Sequence, residues 1–513
     1  MSISDQLLEL NTAKQNIKNA IQDNLKQDLS EVAFIDYHEY IKSNGGYCAP
    51  TLNITFEEKA EYIVGESVTF NGVTTTLDGS TILSDVPIFY DDMLIVSSGP
   101  DGKWSFITTW KSGGCTFTVK DDTYGIVCRE NVYPHEQFFD SFTNLQTLVN
   151  ALKDGETLTL DCNYRYLETG TGDGVTIGAS NITIDGQEKY TLDGNNLSRI
   201  IQNTNTNVTK VSLKGLTFKN GVNSAIKNEN GSDWSINDCV FEHNSANYYG
   251  GAIYNKNGTD WNISDCIFTN NSVIQSTASG GAIYNWNGIN WNISDCTFTN
   301  NFTPYFGGAI NDRRSVGSNI NGCTFVDNSA TRDGGAIYIE FSSGLTMVGC
   351  SFISNSAAYG GAIHNWGSNC TASGCSFINN SASKRGSVID GYSEGNIDAD
   401  NCYWGTNSPT FDSSMVYNTI INTYLILEIT TGTIDSKQYI EVMAKQYNPS
   451  TGSTSINRIY TGEVKAEISV GDNIYTKIFR NGIVSQTYTA PTAPYDITVQ
   501  LESGDILVKT IES

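Results

Sequence analysis

The chain has 513 residues, with 55 acidic against 30 basic side chains, a formal net charge of −25 and a pI near 4.4. That balance argues against nucleic acid and against anionic membrane surfaces, since both call for clustered Lys and Arg. No apolar run reaches the roughly 18 residues of a membrane span, so no membrane insertion is expected.

The first segment, residues 1–46, begins MSISDQLLELNTAKQNIKNAIQDN. It lacks a basic end followed by an apolar core, so no signal peptide is read in this chain. Leu7, Leu10, Ile17 and Ile21 recur at heptad-like spacing, which predicts a short helix, for docking or packed on its own chain. Residues 50–122 carry alternating runs such as EYIVGESVTFNG and GKWSFITTW between Gly and Asp turns. They predict a small Ig-like β-sandwich. FTNLQTLVNALKDGETLTLD then reads as an amphipathic helix capping a repetitive region. Thr143 and Gln146 fit a capping box, Leu145, Leu148, Val149 and Leu152 form one apolar face, and Gly155 is the stop signal.

From 133 to 420 the chain repeats itself. Cys239, Cys266, Cys296, Cys323, Cys350, Cys375 and Cys402 recur at steps of 25 to 30 residues. Phe241, Phe268, Phe298, Phe325, Phe352 and Phe377 come two places on, with Tyr403 one place early, and Asn244 through Asn380 close each FxxN. Ile253 and its counterparts end a GGAI motif that occurs five times. Within a repeat, WNISDCIF alternates apolar and polar residues and slips once at a position held only by Gly, Asp or Asn. Two short strands joined by a one-residue bend explain that pattern, because these residues tolerate left-handed backbone. Strands recurring in register predict an all-β fold, a parallel β-helix whose rungs stack at about 4.8 Å with rows of like side chains. The cysteine row then reads as a buried, reduced packing ladder. The stack is expected to end near NCYWGTNSP, at Pro409, and residues 424–513 to form a second Ig-like β-sandwich.

If the GGAI isoleucine points inward, the first and third residues after it point out. This places Tyr254, Tyr284, Trp286, Arg313, Tyr338, His364, Trp366 and Tyr392 on one face as candidate ligand-binding residues. Aromatic rings there can stack on sugars, or can simply suit strands and cover the surface. The same face carries Glu340 and Asp390, two turns apart, as the carboxylates a catalytic reading would need; Glu340 shares a column with Arg313, however, and reads first as half of a surface ion pair, so no catalytic residue is assigned. The residues supply no other catalytic constellation. No cofactor is expected; Ca²⁺ along the bend row Asp238, Asp265 and Asp295 competes with a plain turn role for those residues.

The pairing of GGAI with FxxN resembles the repeats of polymorphic outer-membrane proteins and, more closely, adhesin-like β-helix proteins of methanogenic archaea. The FTNLQTLVNALKDGETLTLD start and YWGTNSP finish are similar to theirs. This resemblance implies a right-handed β-helix with Ig-like modules and a non-enzymatic adhesin role toward cell-wall or surface polysaccharide. LLELNTAKQNIKNAI, with FIDYHEYI after it, resembles the N-terminal segment of phage and archaeal-virus tail proteins. It implies a virion tail or cell-surface location, tail or surface assembly partners and, by analogy with tail fibres, a homotrimer. A polysaccharide lyase or glycoside hydrolase, and a passive structural spacer, are the alternatives.

Overall fold

A computed structural model describes residues 50–511 apart from 57–61, 77–85, 91–92, 111–114, 122–124, 133–137, 205–207, 394, 407, 435–436, 457–463, 471–472, 480–482, 490–494 and 502–505. The expected helix within 1–46 lies outside the described residues. The chain divides into two compact units, residues 1–137 and 138–513.

In the first unit, Pro50–Thr55, Ser67–Thr76 and Lys103–Thr109 form one antiparallel sheet. Pro87–Tyr90, Met93–Ser97, Cys115–Asp121 and Gly125–Val132 form another. Phe70, on the first sheet, meets Phe117, on the second, at a ring separation of 4.9 Å, and Trp104 meets Phe117 at 5.5 Å. The result is a small two-sheet β-structure around an aromatic core.

The second unit is a right-handed parallel β-helix. Its opening helix, Phe142–Ala151, is capped by Ser141, whose hydroxyl accepts from Asn144 N at 3.1 Å. The expected Thr143–Gln146 box is not used. Gln146 instead pairs with the Thr176 backbone through both its amide atoms, tying the helix to the first turns. Leu145 and Val149 are buried, whereas Leu148 is exposed. The helix stops at Leu152, which is already extended, and Gly155 takes a left-handed φ of 80° beyond it.

The turns stack into three parallel sheets, to all of which only the central turns contribute. The GGAI sheet has ten strands, from Val175–Thr176 to Val416–Tyr417, with Ile226, Ile253, Ile283, Ile310, Ile337, Ile363 and Ile389 in one register. The Cys–Phe sheet has two short strands per turn, and the bend between them is left-handed: Asp265 has φ 54° and Gly322 φ 62°. A short sheet of six strands, from Ser245–Ala246 to Ser381–Arg385, closes the coil.

The rows are continuous. Phe rings from Phe218 to Phe377 stack at 4.6 to 5.0 Å. Trp404, rather than Tyr403, continues that row at 4.9 Å, while Tyr403 turns into the C-terminal core. Adjacent cysteines touch, with Cys266 N 3.4 Å from Cys296 Sγ, and all seven thiols of the row are buried and unbridged. Asn244, Asn271, Asn301, Asn328 and Asn355 each donate side chain to side chain to the next asparagine, ending on Asn380 as acceptor, at 2.9 to 3.1 Å. A second amide ladder, not anticipated, runs Asn203, Asn228, Asn255, Asn285 to Asp312 at 2.7 to 2.8 Å. Each buried amide thereby satisfies a neighbour that would otherwise cost about 1–3 kcal/mol.

The double glycine of GGAI has two separate causes. Gly307 sits at φ 70°, and a Cβ on Gly308 would lie 1.9 Å from the Gly335 oxygen of the next rung. The first glycine turns the chain and the second lets successive rungs approach.

The coil also continues past Pro409. Val416–Tyr417 and Thr419–Ile420 pair with the preceding turn. Tyr424–Ile434 then pairs in parallel with Cys402–Tyr403 before turning antiparallel to Lys437–Asn448. Tyr403, Leu425, Val442, Ile468 and Val499 share one core. Tyr424–Ile434 is thus both a rung paired to the solenoid and the first strand of the C-terminal antiparallel sheet.

Candidate functional site

Strands of the GGAI sheet alternate as anticipated. In Ile253–Lys256, Ile253 and Asn255 are buried inside, and Tyr254 and Lys256 point away from the coil. Pointing outward does not mean exposed here. The residue before each double glycine forms a further row, Tyr249, Ser279, Phe306, Asp333 and Tyr359, joined by backbone bridges. This row roofs the first outward position. Tyr249 packs 4.4 Å from Tyr284, and Phe306 stacks 4.2 Å from Tyr338. Tyr284, Tyr338 and His364 are consequently buried, at 2 %, 1 % and 3 % exposure, so the first two have no free ring face to offer a sugar. Tyr254 remains half-buried.

The third outward position stays accessible. Trp286, Arg313 and Trp366 are half-buried and Tyr392 is exposed. Lys256 Nζ lies 5.3 Å over the Trp286 ring, Arg313 Nε sits 3.0 Å from Glu340 Oε2, and Trp366 meets Tyr392 at 5.0 Å.

Glu340 and Asp390 do not converge. Glu340 is in register with Trp366 and Tyr392, whereas Asp390 is in register with His364 and Tyr338. The bend aspartates lie on a different strand pair, in the Cys–Phe sheet. Among the described residues no three or more His, Cys, Asp or Glu side chains cluster to hold a metal.

What the fold does assemble is a cleft of about 230 Å³ near the C-terminal end of the GGAI sheet. Its floor is Asp390, which is fully buried. Arg385 donates to both Asp390 oxygens, at 2.6 and 3.1 Å, and His364 Nδ1 lies 3.0 Å from Oδ2. Burial works to raise the Asp390 pKa, but His364 and Arg385 outweigh it and hold the carboxyl below its ordinary range. Asp333 forms another wall. Among the described residues its ion-pair partner is Arg332, at 3.8 Å, and burial pushes its carboxyl up despite the Arg332 guanidinium beside it. Beyond His364 Nδ1, whose contact is the close approach to Asp390, His364 Nε2 and Asp333 Oδ1 are buried in the cleft with no hydrogen-bond partner. Trp366, Tyr392 and Tyr359 complete the rim.

Of the residues read from sequence, the cleft brings together His364, Trp366, Tyr392 and Asp390. It adds Arg332, Asp333, Tyr359 and Arg385, which strand alternation does not reveal. A usable signal was present, since Asp333, Tyr359 and Arg385 each directly precede Gly334, Gly360 or Gly386. The nearby Asp312 belongs elsewhere: it is buried and ends the inner amide ladder.

A family model described as a right-handed beta helix region matches residues 198–381. No curated protein matches. Among solved structures, the tailspike protein of E. coli bacteriophage HK620 in complex with a pentasaccharide is 11 % identical, with a TM-score of 0.30, covering 72 % of this chain and 88 % of that one. A Yersinia enterocolitica family 28 exopolygalacturonase is 10 % identical, with a TM-score of 0.24, covering 72 % of this chain and 96 % of its own.

Proposed function

We propose that this protein is a non-enzymatic attachment protein that binds a cell-wall or surface polysaccharide through the outer face of its GGAI sheet. The observation that carries this reading is the C-terminal cleft, where His364 Nε2 and Asp333 Oδ1 are buried without partners beneath Trp366 and Tyr392. A buried polar atom left unpaired costs about 1–3 kcal/mol. Sugar hydroxyls, which both donate and accept, relieve that cost, while a pyranose face covers the rings. Display on a virion tail or cell surface is supported by the N-terminal resemblance alone.

Glycan arrays and pull-down on isolated cell walls test this. Wild type should bind, and the double variant Trp366→Ala/Tyr392→Ala should lose at least about tenfold in affinity, as loss of a central aromatic anchor does. Wild type that binds no glycan and no wall would leave a structural spacer.

A hydrolase is the second reading, favoured by one specific feature. Two carboxyl groups in one cleft have their pKa values driven apart, Asp333 up and Asp390 down. Asp333 would then protonate a leaving glycosidic oxygen, and the Asp390–His364 pair would take a proton from the attacking water. Soluble sugar released from walls by wild type, but not by Asp333→Asn, would establish it. Glu340→Gln should leave any such release unchanged.

A further inference from the structure

A second cleft lies on the same face. It has a volume of about 370 Å³ and is walled by Arg199, Asn223, Lys227, Glu229, Tyr248 and Tyr249 among others. It occupies the same station of the coil as the first. Tyr249 belongs to the row that continues through Ser279, Phe306 and Asp333 to Tyr359. Tyr254, at its edge, belongs to the row that continues through Tyr284, Asn311 and Tyr338 to His364. Both clefts thus form where the turn before the double glycine meets the next strand. In the turns between them, the tilted pair Tyr249–Tyr284 and the stacked pair Phe306–Tyr338 close that junction.

Exposure marks the same two places. Among the described residues, the tyrosines that stand out are Tyr248 at 54 %, Tyr249 at 40 %, Tyr392 at 47 % and Tyr417 at 39 %. The first two edge the N-terminal cleft. Tyr392 rims the other, and Tyr417 lies beside it, in register with Asp390 and under the Arg385 guanidinium at 3.8 Å. Four register steps separate Tyr254 from His364, on the order of 19 Å at about 4.8 Å per rung. Trp286 and Arg313, from the accessible third row, lie on the rungs between.

We infer that the two clefts are the ends of one binding track, and that a single neutral polysaccharide chain lies along the solenoid axis and fills both. Mixed charge at each end, Arg199, Lys227 and Glu229 in one and Arg385, Asp333 and Asp390 in the other, matches a hydroxyl-rich polymer better than a polyanion, which the net charge of −25 would repel. The inference rests on the proposed glycan binding and adds to it a minimum chain length and a second site.

The test uses the full chain against array ladders of chitin, β-1,4-glucan and β-1,4-mannan oligosaccharides of two and eight residues. Filling both clefts makes the second contact intramolecular, so the bound eight-residue glycan should exceed its two-residue form by at least about 100-fold in affinity. In Tyr248→Ala/Tyr249→Ala that ratio should fall below about tenfold, while the two-residue form keeps binding at the C-terminal cleft. Because Tyr249 also covers Tyr284, Tyr248→Ala alone serves as the control for folding and should reduce the ratio in the same direction. An unchanged ratio in both variants overturns the two-cleft track and leaves the glycan reading intact. Absence of binding to every ladder by the wild type overturns both.

Discussion

Asp390 and Asp333 occupy one cleft yet are held in opposite states: Asp390 is clamped by Arg385 at 2.6 Å, whereas Asp333 is paired, among the described residues, with Arg332 at 3.8 Å. Their removal should therefore act on stability with opposite signs.

Asp390 has a lowered folded-state pKa. Its contribution is present above the ordinary carboxyl value of about 3.9 and is lost as the pH falls through the lower folded value. Asp390→Asn should cost about 1.5–3 kcal/mol at pH 7, the range for charged hydrogen bonds, with the deficit shrinking in acid. Thermal melts of both proteins at pH 7 and pH 3 check this; a deficit that grows in acid would contradict the clamp.

Asp333 has a raised folded-state pKa. Its carboxyl favours the folded state at low pH and loses that contribution as the pH rises through the folded value. Asp333→Asn should raise the melting temperature at pH 7 and gain less at pH 3. The same variant should bind glycan less well, since it loses a carboxylate acceptor. A joint gain in stability and binding would count against a site.

Gly308→Ala should destabilise by about 3 kcal/mol or more, because its Cβ would lie 1.9 Å from the Gly335 oxygen and the backbone there has no room to yield. Gly170→Ala, at φ 93° with nothing within 4 Å, should cost only about 1–2 kcal/mol from left-handed strain. Urea denaturation of the two variants gives the comparison.

Asn285→Ala should remove about 1–3 kcal/mol, since Asn255 Nδ2 loses its acceptor and Asp312 Oδ1 its donor. Equilibrium unfolding measures the loss; a neutral result would mean the inner ladder is not a stabilising network.

Two thiols of the cysteine row, Cys323 and Cys402, should resist iodoacetamide in the folded protein. Cys323 and Cys402 are buried, and burial pushes both thiols well above their usual range. Mass spectrometry should find these residues alkylated only after denaturation.

Much of this architecture was legible in the chain because a solenoid repeats its own environment. Residues such as Cys266 and Cys296, or Phe268 and Phe298, occupy identical surroundings one rung apart, so selection for packing writes the rung spacing into the sequence. The bend row was readable for a similar reason: only Gly, Asp and Asn readily accept the left-handed backbone found at Asp265 and Gly322. Strand alternation likewise placed Tyr284 and His364 on the outer side of the GGAI sheet. Alternation reports direction from the sheet, however, and not what lies above it. Only the folded chain shows the turn before each double glycine lying over that face, burying Tyr284 under Tyr249 and Tyr338 under Phe306 while leaving two junctions open. Asp333 and Arg385 reach the cleft from such turns, where no periodicity marks a side chain's direction. Rows were set by local periodicity; clefts were decided by which side chains the turns carry over the sheet and how they pack there, which the period does not specify.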